Sequence, residues 1–437
     1  MKNKKPNPLS RRDFLKMSGV TTLGLALSAC GLIQMPTATS TLIPSPTNTL
    51  IPTETPTATP TLTATPSPPT LSNLANDLGV YIGSQASYVH LRDFPEFKAR
   101  FKAEFNLHEM DAEFNWDVPP DMKIWIPALH PTRDTFDFSQ ADLVVRQAKS
   151  MGKRARGQSL IWGNKAFTPS WLWDGNFSRA EALTILEEHV RTVVGRYNGS
   201  HPDLGSVHEW IVANESLATV YYWNSKFGSD FSWVRTAFVT AREADPNAKL
   251  IYNDTFFEFD GEPHNGEISR SNAKAHAVRV YNFVSNLIAE GTPIDAIGFQ
   301  CHLDGDYFVG DRLEHMMNAF TKAINKYQGL GLEVYITELD VAMDKVSGTE
   351  NEKQDTQAQI YQAIYETGLH SGVKSFSMFG ENDRLSFYNG SGRPDAKATI
   401  LDNNSKPKPA YFAIRQVLFD MLSPSQPIPT TGTPSAP

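Results

Sequence analysis

The chain has 437 residues, with 40 Lys and Arg against 48 Asp and Glu, a formal net charge of −8 at pH 7. That balance argues against a nucleic-acid partner, which clustered basic residues would hold, and leaves a neutral polymer or a small ligand. Two cysteines, Cys30 and Cys301, are too few for a disulfide framework, and the eleven histidines lack the spacing of a structural zinc site.

Residues 1–29 read as a targeting segment. Lys2, Lys4 and Lys5 open it, Arg11 and Arg12 stand side by side, and Met17 to Ala29 is apolar or small throughout. That run is shorter than the ~20 residues needed to span a bilayer, and it leads into Leu27-Ser28-Ala29-Cys30-Gly31. The order resembles a twin-arginine export signal fused to a bacterial lipoprotein cleavage site. The resemblance implies cleavage before Cys30 and a lipid on its sulfur; a plain secretory peptide or a tethering helix is the alternative. Loss of residues 1–29 removes six basic side chains and one acid, which takes the net charge from −8 to −13. Residues 30–73 add a Pro/Thr-rich linker to that cysteine, a composition that stays extended and solvated. Residues 424–437 form a similar tail. The expected location is exported and lipid-anchored, at the bacterial cell surface or the extracytoplasmic face of a membrane.

Residues 74–423 are globular in composition with no linker-like interruption, which predicts one domain. Short β-type runs occur at 78–83, 105–110, 154–162, 207–212, 249–252, 294–300, 333–336 and 373–378. Helical patterns separate them. Ser178 with Glu181 forms a capping-box signature ahead of Leu183, Leu186, Val190, Val193, Val194 and Tyr197 at helical spacing. Further helices are predicted over 139–151, 281–289, 311–327 and 354–369. Eight strands alternating with helices predict an α/β fold, a single (β/α)8 TIM barrel, with an open doubly wound sheet as the alternative.

Two glutamates stand out. Glu215 closes Trp210-Ile211-Val212-Ala213-Asn214, and Glu338 closes Val334-Tyr335-Ile336-Thr337. An unpartnered buried charge costs several kcal/mol, so a carboxyl ending a buried strand points to a site. In a barrel, sites lie at the C-terminal strand ends. Strands four and seven are not neighbours, so the two carboxyls would face each other across the mouth. A carboxyl pair over one substrate is the equipment for cleaving a glycosidic bond.

These motifs resemble family 10 of the glycoside hydrolases, dominated by endo-β-1,4-xylanases, over most of residues 78–420. The specific pieces are Trp210 to Glu215 and Ile336-Thr337-Glu338-Leu339-Asp340-Val341. Phe105-Asn106, Phe136-Asp137-Phe138, Arg156-Gly157, Leu160-Ile161-Trp162, Tyr252-Asn253-Asp254 and Ile297 to Leu303 support them in order. The resemblance implies that Glu215 is the acid/base and Glu338 the nucleophile of a retaining hydrolase. It implies that Asn214 binds the sugar 2-hydroxyl, that Gln300 and His302 line the site with Asp340 steadying His302, and that Trp162 walls the sugar pocket. The chain departs from the pattern at Asp111, Ala112 and Asn115, at Gln158 and Gly163, and at Phe379 and Phe387, all positions that recognise the sugar. Asp111, Asn115, Gln158 and Phe379 are therefore carried as substrate-binding candidates whose changes leave a narrowed or altered glycan open.

Polymer binding needs flat aromatic faces. Trp162, Trp171, Trp173, Tyr221, Tyr222, Trp223, Phe256 and Phe257 are candidates, with Tyr221-Tyr222-Trp223 the cluster most expected in the cleft and Tyr222 the substrate-binding choice. Cys301 is expected to be a small core residue. No cofactor and no catalytic metal are expected. The predicted partners are xylan or a related β-glycan and, through the lipid on Cys30, a membrane; the protein is expected to be a monomer. The competing readings are a barrel β-glycosidase acting on another plant or microbial glycan, and a surface-tethered glycan-binding protein with little turnover.

Overall fold

A computed structural model describes residues 68–423, except 121, 219, 220 and 381. The export signal, Cys30, nearly all of the linker and the C-terminal tail lie outside the described residues. The strands are β1 (Tyr81–Gln85), β2 (Leu107–Glu109), β3 (Arg154–Gly157), β4 (Glu209–Asn214), β5 (Lys249–Asp254), β6 (Ala296–Phe299), β7 (His302–Asp304), β8 (Glu333–Ala342) and β9 (Ser375–Met378). β1 to β6 pair in succession, β6 pairs with β8, β8 with β9, and β9 closes on β1, all in parallel. The fold is the expected (β/α)8 barrel, with β7 as a short outer strand on β8 beyond the break at Gln300-Cys301.

The strands read as continuous apolar runs because both faces are covered, the inner by the barrel core and the outer by helices. Every residue of β4 is buried, as is all of β8 after Glu333. Gly157 ends β3 directly over Trp210: a Cβ there would lie 2.3 Å from the indole, so only glycine allows this packing. The strand predicted over 154–162 stops here, because Gln158 turns the chain and only Ile161 returns to bridge Ala213. The helix Arg179–Arg196 has the reciprocal Ser178–Glu181 cap, and Thr349 with Glu352 caps Glu350–His370 in the same way. The helix Arg270–Ala289 begins eleven residues before the predicted start. Its buried stripe there is Ala273, Ala277 and Val280, too small and too interrupted by basic residues to show as a periodic face.

Inside the barrel, Arg156 is fully buried and bonds Glu209 (2.7 Å) and Glu109 (2.9 Å). Two carboxylates around one guanidinium make that burial tolerable. At the opposite end of the chain path, Glu104 closes the helix Pro95–Glu104 that leads into β2. Its carboxylate accepts from the Leu71 amide (3.1 Å) and the Tyr411 hydroxyl (2.8 Å), joining the first helix, Leu71–Leu78, to the last, Pro409–Leu422.

Candidate active site

Glu215 follows β4 directly with a φ of 50°, a left-handed conformation uncommon outside glycine and typical of strained functional positions. Its amide donates to the Asn253 carbonyl (3.0 Å), which holds the turn. Oε2 accepts from the Tyr221 hydroxyl (2.6 Å) and the Trp162 indole N–H (3.1 Å), and Oε1 from the Gln300 amide (3.1 Å). Burial raises the Glu215 pKa above the ordinary glutamate value. The Tyr221 and Gln300 hydrogen bonds oppose that rise, and the charges of Asp254 and Glu338 add to it.

Glu338 does not end its strand. β8 continues to Ala342, and its pairing with β9 shifts register between Ile336 and Leu339. Such an irregularity re-aims a side chain, and Glu338 falls within it. Oε1 accepts from Asn253 Nδ2 (2.8 Å), and Oε2 lies 3.2 Å from His302 Nε2. His302 is placed by the break between β6 and β7, where Cys301 takes a φ of 61° and its amide donates to buried Glu258 (3.1 Å). His302 Nδ1 meets Asp340 Oδ2 at 2.9 Å, and the other Asp340 oxygen accepts from Tyr388 (3.1 Å). Burial disfavours a charged imidazole, yet the Asp340 carboxylate and the hydrogen bonds to Asp340 and Glu338 outweigh it and hold the His302 pKa well above the histidine norm. Both ring nitrogens of His302 face carboxyl oxygens, Nδ1 toward Asp340 and Nε2 toward Glu338, an arrangement that favours the protonated ring.

Asn214 Oδ1 accepts from Asn253 Nδ2 (2.9 Å) and Gln300 Nε2 (3.2 Å). A continuous path of amides therefore runs from Glu215 through Gln300, Asn214 and Asn253 to Glu338. Asn253 is its hub and was not singled out as a site residue from the sequence, although it stands beside the end of β5 as Asn214 ends β4. Thr337 Oγ1 donates to Asn253 Oδ1 (2.7 Å), and Gly298 leaves room for it: a Cβ there would meet that oxygen at 2.3 Å.

The remaining candidates divide. Trp162 stacks on Phe167 (4.5 Å between centroids) beside Glu215. Phe379 and Phe387 stand edge-on to His302 at 4.9 and 5.4 Å. Gln158 donates to Glu109 Oε1 (2.7 Å), and Asp111 accepts from Gln85 (2.7 Å). Asn115 is largely covered, its amide bonded to Ala112. Tyr222 needs correction: it is 2% exposed and packs against Trp173 and Trp223, so it offers no face to a sugar. Trp223 and Phe257 are buried as well. Tyr221 is the member of that cluster that reaches the site, because the helix Tyr222–Phe227 starts one residue later and turns Tyr222 inward. Glu109 was missed altogether; burial lifts its carboxyl to about 7 against the pull of Arg156. Cys301 is a free, buried thiol, as a core residue should be.

The profile of glycosyl hydrolase family 10 matches residues 70–417. The chain belongs to glycosyl hydrolase family 10. Residues 8–28 match the twin-arginine translocation signal, so this family 10 enzyme carries an export signal. It is 33% identical over 357 residues to endo-1,4-beta-xylanase B of Thermotoga neapolitana, over 80% of this chain and 91% of that protein. A beta-1,4-xylanase of Dictyoglomus thermophilum is 28% identical over 79% of this chain and 90% of its own length. Among solved structures, native xylanase 10B of Thermotoga maritima superposes with a TM-score of 0.68 at 30% identity, over 81% of this chain and 99% of that one. Xylanase 10B of Thermotoga petrophila RKU-1, solved with xylobiose, gives 0.67 at 30% identity, over 82% and 100%. The chain is a glycoside hydrolase whose carboxyl pair sits where a (β/α)8 barrel places its chemistry.

Proposed function

We propose that this enzyme is a retaining endo-β-1,4-xylanase, with Glu338 the nucleophile and Glu215 the acid/base. The observation that carries this reading is the unequal company of the two carboxyls. Glu338 has His302 Nε2 against one oxygen and the Asn253 amide N–H on the other, a polar setting that aims both oxygens. Burial raises the Glu215 pKa and so favours its protonated form, beside the Tyr221 hydroxyl and the Trp162 indole.

In the first step Glu338 attacks the anomeric carbon while Glu215 passes its proton to the leaving oxygen. The glycosyl ester that forms has no charge on Glu338. The contribution of that charge to the raised Glu215 pKa then disappears, and Glu215, now a carboxylate, takes a proton from the incoming water. Asn214 Oδ1 accepts from Asn253 and Gln300, and one Nδ2 hydrogen reaches Glu215 Oε1 (3.4 Å), so the second Nδ2 hydrogen is the one to bond the sugar 2-hydroxyl. Gln300, His302, Trp162 and Phe379 line the sugar, with Asp340 holding His302. Gln158, Asp111 and Asn115 belong to the same glycan-facing end in this reading.

Residues 1–29 would be removed after export, Cys30 lipidated, and 30–73 left as a stalk for a monomeric barrel over 74–423. The test is reducing-sugar release from xylans, mixed-linkage glucans and mannans, with Glu338→Ala as control. Release from xylan by wild type and not by the variant is expected; release only from another glycan overturns the substrate, and binding without turnover overturns the enzyme reading. Cys30→Ala is expected to free the protein from membrane fractions, and unchanged fractionation rules out the anchor.

A further inference from the structure

The substitution at Gln158 is coupled to a carboxyl that the mechanism leaves unused. Glu109 is the last residue of β2, fully buried, and bonded through Oε2 to Arg156 Nη1 (2.9 Å). Its other oxygen accepts from Gln158 Nε2 at 2.7 Å. Gln158 follows β3 at the same end of the barrel where Glu215 follows β4, and it is half-exposed where Glu109 is sealed. Glu109 also lies within electrostatic reach of Glu338. The pair therefore spans from the barrel interior to the floor of the mouth.

An amide donates only through nitrogen and accepts only through oxygen. With Arg156 on its other oxygen, Glu109 Oε1 takes the N–H side of Gln158. The amide oxygen is left for a ligand. We infer that Glu109 is a positioning residue for glycan recognition, fixing the Gln158 amide so that its carbonyl oxygen accepts a hydrogen bond from a sugar hydroxyl at the mouth of the barrel. A ring nitrogen at this position could donate instead, so the carbonyl selects for a hydroxyl able to give its proton. This inference rests on Glu215 and Glu338 being the catalytic pair.

The experiment is a double-mutant cycle of Glu109→Gln and Gln158→Ala, with KM and kcat read on an aryl β-xylobioside and melting curves confirming folded protein. Glu109→Gln keeps a neutral partner for Arg156 but no longer dictates the amide orientation. Each single variant is expected to raise KM roughly 5- to 20-fold, the range of a lost hydrogen bond to a charged or oriented group, with kcat little changed. The double variant should be no worse than Gln158→Ala, because Glu109 acts through Gln158. Glu109→Asp, which keeps the charge, should recover part of the loss. An unchanged KM in folded Glu109→Gln, or an undiminished effect of Glu109→Gln when Gln158 is already alanine, overturns the inference. If wild type cleaves no xyloside, it is the substrate reading that falls. The cycle is then read on the β-glycoside that wild type does cleave or bind, and additivity there overturns the inference independently.

Discussion

The Tyr221 hydroxyl donates to Glu215 over 2.6 Å, on the same oxygen that receives the Trp162 indole N–H. This bond favours the charged carboxylate and so works against the burial that raises the Glu215 pKa. Tyr221→Phe removes the bond and leaves the burial. The Glu215 pKa should rise further, and the alkaline limb of the kcat/KM profile, where the acid loses its proton, should move to higher pH. A limb that stays in place or moves down would separate Tyr221 from the acid/base.

The two carboxyls should differ by leaving group. Glu338→Ala is expected to lose at least about 10⁴-fold in kcat on every substrate, as removal of a nucleophile does. Glu215→Ala should lose comparably on xylan but retain far more activity on an aryl glycoside whose leaving group needs no proton. The ratio of the two losses, measured by initial rates, checks the assignment; equal losses for both variants on both substrates contradict it.

Gly298→Ala tests the amide hub without touching a polar group. The new Cβ would lie 2.3 Å from Asn253 Oδ1, so Asn253 must shift away from Asn214 and Glu338. Misplacement of a reacting group by about an ångström costs roughly 10²-fold. The expected result is a kcat loss of that order in a protein that still shows its cooperative melt. A fully active variant would mean that the Asn253 bridge is dispensable.

Acid should unfold the barrel partly through His108. It is fully buried and donates Nε2–H to the Ala86 carbonyl (2.8 Å), and burial depresses its pKa from 6.5 to about 4. The unfolded chain takes up a proton below its ordinary pKa while the folded one resists until about 4, so stability falls as pH drops through that window. His108→Gln, which cannot titrate, should remove on the order of 3 kcal/mol of the stability lost between those values. Urea unfolding across the window measures it; an unchanged slope assigns the acid sensitivity to other groups.

The barrel and its carboxyl pair were legible because burial on both strand faces writes long apolar runs, and a glutamate closing such a run has no packing reason to be there. Ser178 and Glu181 were equally plain, a local cap that needs no tertiary context. Asn253 and Gly298 were not, because their roles exist only across neighbouring strands. Glu338 was found in the right segment, but its place inside β8 rather than at the end depends on a register shift that no periodicity reveals. Tyr222 and Tyr221 are one residue apart with the same chemistry, and the start of a helix decides which ring is covered. Glu109 looked like an ordinary strand-end acid until Arg156 and Gln158 closed on it.

Glu104 holds the Leu71 amide beside the N-terminal ends of the strands, the pole of the barrel opposite Glu215 and Glu338. One carboxylate there clamps the first described helix to the last, so the ring is fastened at its base and the mouth is left to the two catalytic candidates alone.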